Sequence, residues 1–136
     1  MGDTCYKKGS GKVMGNKVLV VDDQPGIRML LEELLKGDGY EIITAKTGKQ
    51  ACEEATNQRP DLILMDFKLP MMSGGEVLKY LYNQDLQQPV LIMTGLSPQT
   101  IAEDTEYSFV KEIITKPFDI HVMRELVSKT IASEKA

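Results

Sequence analysis

Asp22-Asp23, Asp66, Thr94 and Lys116 each stand directly after a short run of apolar or β-branched residues. Those runs are Val18-Leu19-Val20-Val21, Leu62-Ile63-Leu64-Met65, Val90-Leu91-Ile92-Met93 and Ile113-Ile114-Thr115. Such a run, bounded by turn residues, reads as a strand buried on both faces, as in a parallel sheet. Parallel strands set their carboxyl ends along one edge, and ligands of open α/β sheets sit in the crevice beyond it. Groups far apart in sequence then meet in one place. Three carboxylates there would repel one another, because like charges disfavour ionisation. A hard divalent cation resolves this: Mg²⁺ takes oxygen ligands and keeps several waters, so a few carboxylates make a suitable partial shell. Lys116 adds an ammonium and Thr94 a hydroxyl donor. A transferring phosphoryl group, with its charge spread over equatorial oxygens, suits this set around a carboxylate nucleophile. On this reading Asp66 attacks phosphorus to give an aspartyl phosphate, with Mg²⁺ on Asp23, Asp66 and a backbone carbonyl.

Taken singly, each residue has a plainer reading. Asp22-Asp23 would cap the first helix, Asp66 would end a strand as a turn or N-cap residue, and Thr94-Gly95 would make a turn. Lys116 alone would be a solvated lysine. The joint placement at four strand ends is what favours chemistry.

The elements that must position these groups follow from the pattern. The strand Val18–Val21 leads to Pro25, where a first-turn helical proline belongs. Ile27, Leu30, Leu31, Leu34 and Leu35 then recur at helical spacing until Gly37-Asp38-Gly39. Tyr40 to Thr44 is a shorter strand. Thr47-Gly48 opens a helix whose modest apolar face is Ala51, Cys52 and Ala55. The central strand Leu62–Asp66 is followed by a loop with Pro70 and Gly74-Gly75, then a helix carrying Val77, Leu78 and Leu81. After the strand Val90–Met93, residues 97–110 are polar and weakly periodic, and a short fourth helix is expected there. The strand Glu112–Thr115 and a last helix from about Asp119, its N-cap, complete the chain. Strand and helix alternate five times, which predicts a parallel sheet with helices on both faces.

Composition bounds the class. The chain has 136 residues, 42% of them hydrophobic and 26% charged, which fits one soluble domain. A net charge of −4 gives no basic footprint for nucleic acid. No apolar run approaches the roughly 20 residues of a membrane span, and no signal-peptide core follows Met1. Met1-Gly2 opens like a myristoylation signal, but Tyr6 stands where Ser or Thr is required. Cys5 and Cys52 lie in unlike contexts, so a disulfide is not expected and a reducing cytoplasm fits. Cys52 reads as a core residue and His121 as an exposed one. Met71-Met72 offer either a soft partner surface or loop packing. Residues 1–16 form an expected flexible tail, 17–133 the folded domain and 134–136 a C-terminal tail.

The segments Val20-Val21-Asp22-Asp23, Asp61-Leu62-Ile63-Leu64-Met65-Asp66, Leu69-Pro70 with Gly74, Thr94-Gly95 and Lys116-Pro117-Phe118 resemble the receiver domain of bacterial two-component response regulators. The likeness covers Lys17 to Ser133. The further runs Gly26-Ile27-Arg28, Arg59-Pro60-Asp61-Leu62 and Phe118-Asp119-Ile120 are similar to the single-domain, phosphorelay type. The resemblance implies a flavodoxin-like α/β fold, a five-stranded parallel sheet of order 2-1-3-4-5. That order comes with the resemblance, since a receiver protein is itself a known example of it, and not from the strand pattern. The resemblance also implies that Asp66 accepts a phosphoryl group from a sensor histidine kinase, and that Asp22, Asp23, Asp66 and the Lys68 backbone carbonyl hold Mg²⁺. Lys116 would contact the phosphoryl group and Asp66, and Thr94 would move to bind the phosphate. A cis Lys116-Pro117 bond is implied as well.

Two positions depart from the family pattern. Ile113 stands where an aromatic residue usually forms a switch with the threonine, so altered output through the fourth helix and fifth strand is expected. Ser73 stands where Asp is common, with little effect expected. Two rival functions differ in class. A metal-dependent phosphatase would need a second acid near Asp66, where Lys68 stands, and a cap that the Phe67–Gly75 loop is too short to supply. A degenerate receiver acting only through phosphate-independent contacts conflicts with the intact Asp22, Asp23, Asp66, Thr94 and Lys116. The expected output is contact with another protein or phosphorelay to a phosphotransfer histidine. Neither DNA nor membrane binding by this chain is expected.

Overall fold

The computed structural model describes residues 16–135. The expected N-terminal tail, with Cys5 and Tyr6, lies outside the described residues apart from Asn16, as does Ala136.

Five strands and four α-helices follow one another along the described residues: β1 Lys17–Val21, α1 Pro25–Gly37, β2 Glu41–Ala45, α2 Gly48–Gln58, β3 Leu62–Asp66, α3 Gly74–Asn83, β4 Val90–Thr94, β5 Val110–Thr115 and α4 Ile120–Lys135. All strand pairs are parallel, in the spatial order β2-β1-β3-β4-β5. This is the expected 2-1-3-4-5 order. α4 continues to Lys135, with no break at Ser133.

The side-chain period of two explains why the strands carry nearly unbroken apolar runs. Leu19, Val21, Ile63, Met65, Val90 and Ile92 pack on one face with Ala51, Cys52 and Ala55 of α2 and Val77, Leu78 and Leu81 of α3. Val18, Val20, Leu62, Leu64, Leu91 and Met93 pack on the other with Leu31 and Leu35 of α1 and Met123, Val127 and Ile131 of α4. Both faces are thus covered by helices. An ion pair adds to the second layer, where the Arg124 guanidinium meets Asp38 with Nε–Oδ2 at 3.0 Å and Nη2–Oδ1 at 2.6 Å.

Helix starts follow the local chemistry. Pro25 opens α1. The Thr47 hydroxyl accepts from the Gln50 amide to cap α2. Ser73 and Glu76 form a reciprocal capping box at α3, so the serine at this position serves the cap itself. Asp119 Oδ1 accepts from the amides of His121 and Val122 at 2.7 and 3.3 Å, as an N-cap does. His121 is exposed.

The expected fourth helix is not an α-helix. Between β4 and β5 the described chain forms only a 3-10 turn, Ala102–Thr105. Ile101 and Thr105 are buried there, while residues 95–100 and 102–104 are exposed. Phe109 is also buried just before β5, but across residues 97–105 Ile101 is the one buried apolar residue, too little to stabilise a helix, whose nucleation is unfavourable.

Candidate functional site

Asp22 directly follows β1 and is wholly buried. Its Oδ1 accepts from the Gln24 amide at 2.9 Å, and its backbone carbonyl accepts from Arg28 Nη1 on α1 at 2.8 Å. The turn role is therefore real, but it uses only one carboxylate oxygen. The other, Oδ2, lies 3.5 Å from Lys116 Nζ. Asp23, one residue on, is exposed. Asp66 ends β3 with 6% of its surface exposed, and its Oδ2 lies 3.2 Å from the same Lys116 Nζ. The Lys68 backbone, two residues on, also favours the charged form of the Asp66 carboxylate.

One carboxylate oxygen from each of Asp22, Asp23 and Asp66 lies within 4.8 Å of the others. Burial is the largest influence on the Asp66 carboxyl and raises its pKa; Lys116 pulls it down, Asp22 pushes it up, and the net result is above the ordinary value. The ammonium thus offsets only part of the cost of burying a charged Asp66 beside Asp22. Three hard oxygens at this spacing are a donor set of the kind that fits Mg²⁺.

The acidic residues open into a cleft of about 410 Å³ lined by Asp23, Gln24, Asp66, Lys68, Leu69, Pro70, Gly95 and Lys116. Lys68 is exposed at its mouth and Leu69 is buried in its wall. Thr94 ends β4, 2% exposed, and its Oγ1 accepts from the Leu96 amide at 2.9 Å. Its backbone carbonyl accepts from the Lys116 amide at 2.7 Å, which ties the ends of β4 and β5 together. The Lys116-Pro117 peptide is cis.

Ile113 is not brought to this cleft. It pairs with Ile92 in the sheet, is half-buried against the α2–α3 layer, and lines a separate groove with Pro98, Thr105 and Val110. Met71, at φ 68°, is 96% exposed, whereas Met72 packs against the core. Cys52 is buried, and burial first, then Glu53, raises its thiol pKa to about 11, which agrees with a core residue rather than a nucleophile. Sequence reasoning misses Gln24, Gly95 and Arg28. Their nearness along the chain to Asp23, Thr94 and the first helix turn is the available signal.

The profile of the response regulator receiver domain matches residues 18–128. Sporulation initiation phosphotransferase F of Bacillus subtilis is 39% identical over 117 residues, covering 86% of this chain and 94% of that protein. Chemotaxis protein CheY of Bacillus subtilis is 31% identical, covering 87% of this chain and 99% of its own. Among solved structures, the response regulator protein TrrA of Thermotoga maritima in complex with Mg²⁺ and BeF is 32% identical with a TM-score of 0.74, covering 85% of this chain and 98% of that one. The chain belongs to the response regulator receiver domain family, the receivers of two-component signal transduction. The single-domain phosphorelay likeness read from its motifs agrees with the sporulation relative.

Proposed function

We propose that this receiver accepts a phosphoryl group on Asp66 from a sensor histidine kinase and passes the signal by protein contact or by phosphorelay to a phosphotransfer histidine. The observation that carries this reading is the Lys116 ammonium set between the Asp66 and Asp22 carboxylates, at 3.2 and 3.5 Å, beside an open cleft. An Asp66 oxygen would form the new bond to phosphorus while the bond from phosphorus to the donor nitrogen breaks, its electron pair leaving with the imidazole. Lys116 would neutralise charge on the phosphoryl oxygens. The Thr94 hydroxyl, whose oxygen now accepts from Leu96, retains its own hydrogen to donate to a phosphoryl oxygen. Asp22, Asp23, Asp66 and the Lys68 carbonyl would hold Mg²⁺, which when bound supplies a second positive charge against those oxygens.

The receiver unit of this reading is residues 17–133, with the last turn of α4 running past it to Lys135. Its setting is the cytoplasm; no helix among the described residues is long and apolar enough to cross a membrane. The carboxylate chemistry makes the domain a phosphoacceptor with at most slow self-phosphorylation and hydrolysis, not an enzyme acting on a free substrate.

Intact-mass analysis after incubation with Mg²⁺ and acetyl phosphate tests the proposal. One phosphoryl group is expected on the wild type, dependent on Mg²⁺ and lost in Asp66→Ala. A folded, Mg²⁺-binding wild type that gains no mass from acetyl phosphate or from a phosphohistidine donor would sink the phosphoacceptor mechanism.

A further inference from the structure

We infer that Gly48, in the first turn of α2, is a positioning residue for the acidic site, acting through the backbone of the loop that carries Lys68. This rests on the reading of Asp66 and the Lys68 carbonyl as Mg²⁺ ligands. A Cβ on Gly48 would stand 2.6 Å from the Met72 carbonyl oxygen, 2.9 Å from Met72 Cβ and 3.0 Å from Met72 Cγ. The nearest atom is backbone, which a side-chain rotation cannot clear. Gly48 also has no left-handed φ, so contact and not conformation excludes a side chain here.

Neither partner in this contact is free to retreat. The start of α2 is held by the Gln50 amide on Thr47 Oγ1 at 3.1 Å and the Lys46 amide on Gln50 Oε1 at 2.8 Å. Ala51, Cys52 and Ala55 fix the same helix on the sheet. The loop is pinned at its far end, where the Gly74 amide donates to the Phe67 carbonyl at 2.7 Å. A Cβ on Gly74 would stand 2.9 Å from Phe67 Cα. Between these two close approaches lie Lys68, Leu69 and Pro70, which wall the cleft. The Met72 amide donates to the Pro70 carbonyl at 2.7 Å. A push on Met72 reaches Pro70 through that bond, and Lys68 lies two residues before it.

Gly48→Ala is the test, with Gly37→Ala as its control, since a Cβ at Gly37 meets nothing within 4 Å. Three quantities are read on the full chain: thermal unfolding without Mg²⁺, backbone amide shifts of residues 67–74 without Mg²⁺, and Mg²⁺ affinity by calorimetry. Gly48→Ala is expected to stay folded, to shift the amides of Lys68 to Met72 before any metal is added, and to weaken Mg²⁺ binding about tenfold or more, the usual loss when support of a ligand is disturbed. Gly37→Ala is expected to match the wild type in both loop shifts and affinity. A Gly48→Ala protein with wild-type loop shifts and affinity overturns the inference. So does one that fails to fold, because the strain then falls on the core. A wild type that binds no Mg²⁺ and takes no phosphoryl group defeats the phosphoacceptor reading instead, whatever Gly48→Ala does to the loop.

Discussion

The loops leaving two neighbouring strands differ sharply. The one after β3, from Phe67 to Ser73, is pinned from end to end. Phe67 donates to Met93, Met72 to Pro70 and Gly74 to Phe67, each at 2.7–2.8 Å, and Leu69 is buried beneath it. The one after β4 leaves Gly95 to Thr100 exposed, and its first regular structure is a single 3-10 turn. Both loops border the same cleft. The one that carries ligand positions is over-determined, and the one that follows Thr94 is held by few contacts. Segments with few buried apolar contacts are those that open or rearrange at low free energy. The site thus joins Asp22, Asp23 and Asp66 to a loop with fewer buried contacts, the one that the proposed movement of Thr94 would involve.

Paired truncations would break this contrast most directly. Leu69→Ala is expected to lower unfolding free energy by about 2–3 kcal/mol, the lower part of the range for a buried leucine. Leu96→Ala, at a residue 45% exposed on the other loop, is expected to stay within about 0.5 kcal/mol of wild type. Urea unfolding measures both, and equal losses would erase the distinction between the loops.

A smaller effect, of opposite sign, is expected at Asp66. Its carboxyl is held above the ordinary value by burial, so the folded state binds a proton more readily than the unfolded chain. That contribution to stability is fully present below the unfolded value near 3.8 and is lost as pH rises through the raised folded value. At pH 7 without Mg²⁺ the charged group therefore opposes folding. Asp66→Asn is expected to raise stability by about 1 kcal/mol, as at other sites where function conflicts with stability. Chemical unfolding at pH 7 checks this, and an unchanged or less stable variant would mean that Lys116 fully offsets the buried charge.

The loop after β4 has its own test. Ile113 cannot present a ring toward Thr94, yet it sits two positions before the Thr115 that pairs with Thr94. Beryllofluoride with Mg²⁺ is expected to shift amides of residues 95–115 more than those of 67–74. An unchanged 95–115 segment would mean that output through this face is absent, not merely altered.

The smallest effect is expected from Cys52. Burial raises its thiol pKa from 9.0 to about 11, so its contribution is complete below pH 9 and falls away as pH rises toward 11. Cys52 is expected to resist alkylation in the folded protein at pH 8, checked by peptide mapping with and without denaturant.

Much of this arrangement is legible in the sequence because a parallel sheet leaves a strong trace. Runs such as Leu62–Met65 are buried on both faces, so they carry no polar residue until the strand ends, and the first polar residue marks the edge. That one regularity marks Asp22, Asp66 and Thr94; Lys116 follows the edge strand β5, where Lys111, Glu112 and Thr115 interrupt the apolar run. It fails between β4 and β5, where Ser97-Pro98 and scattered Ile101 and Thr105 give no period to read. It also cannot tell Asp22 from Asp23, because neighbours in sequence differ here in burial: one turns into the crevice floor and the other faces solvent. Nor does any pattern in the Lys46-Thr47-Gly48 turn announce that Met72, 24 positions later in the chain, comes to rest against it.

The bridge from Lys116 to Asp22 spans 94 residues of chain. A nascent polypeptide displays its acidic residues early, and proteins emerge from the N-terminus at about 5–20 residues per second. Until β5 has been made and has docked beside β4, the acids lack their ammonium partner and the cleft lacks a wall. The site is therefore assembled late, and only α4, which brings Met123, Val127 and Ile131 to the sheet, remains to be made after Lys116.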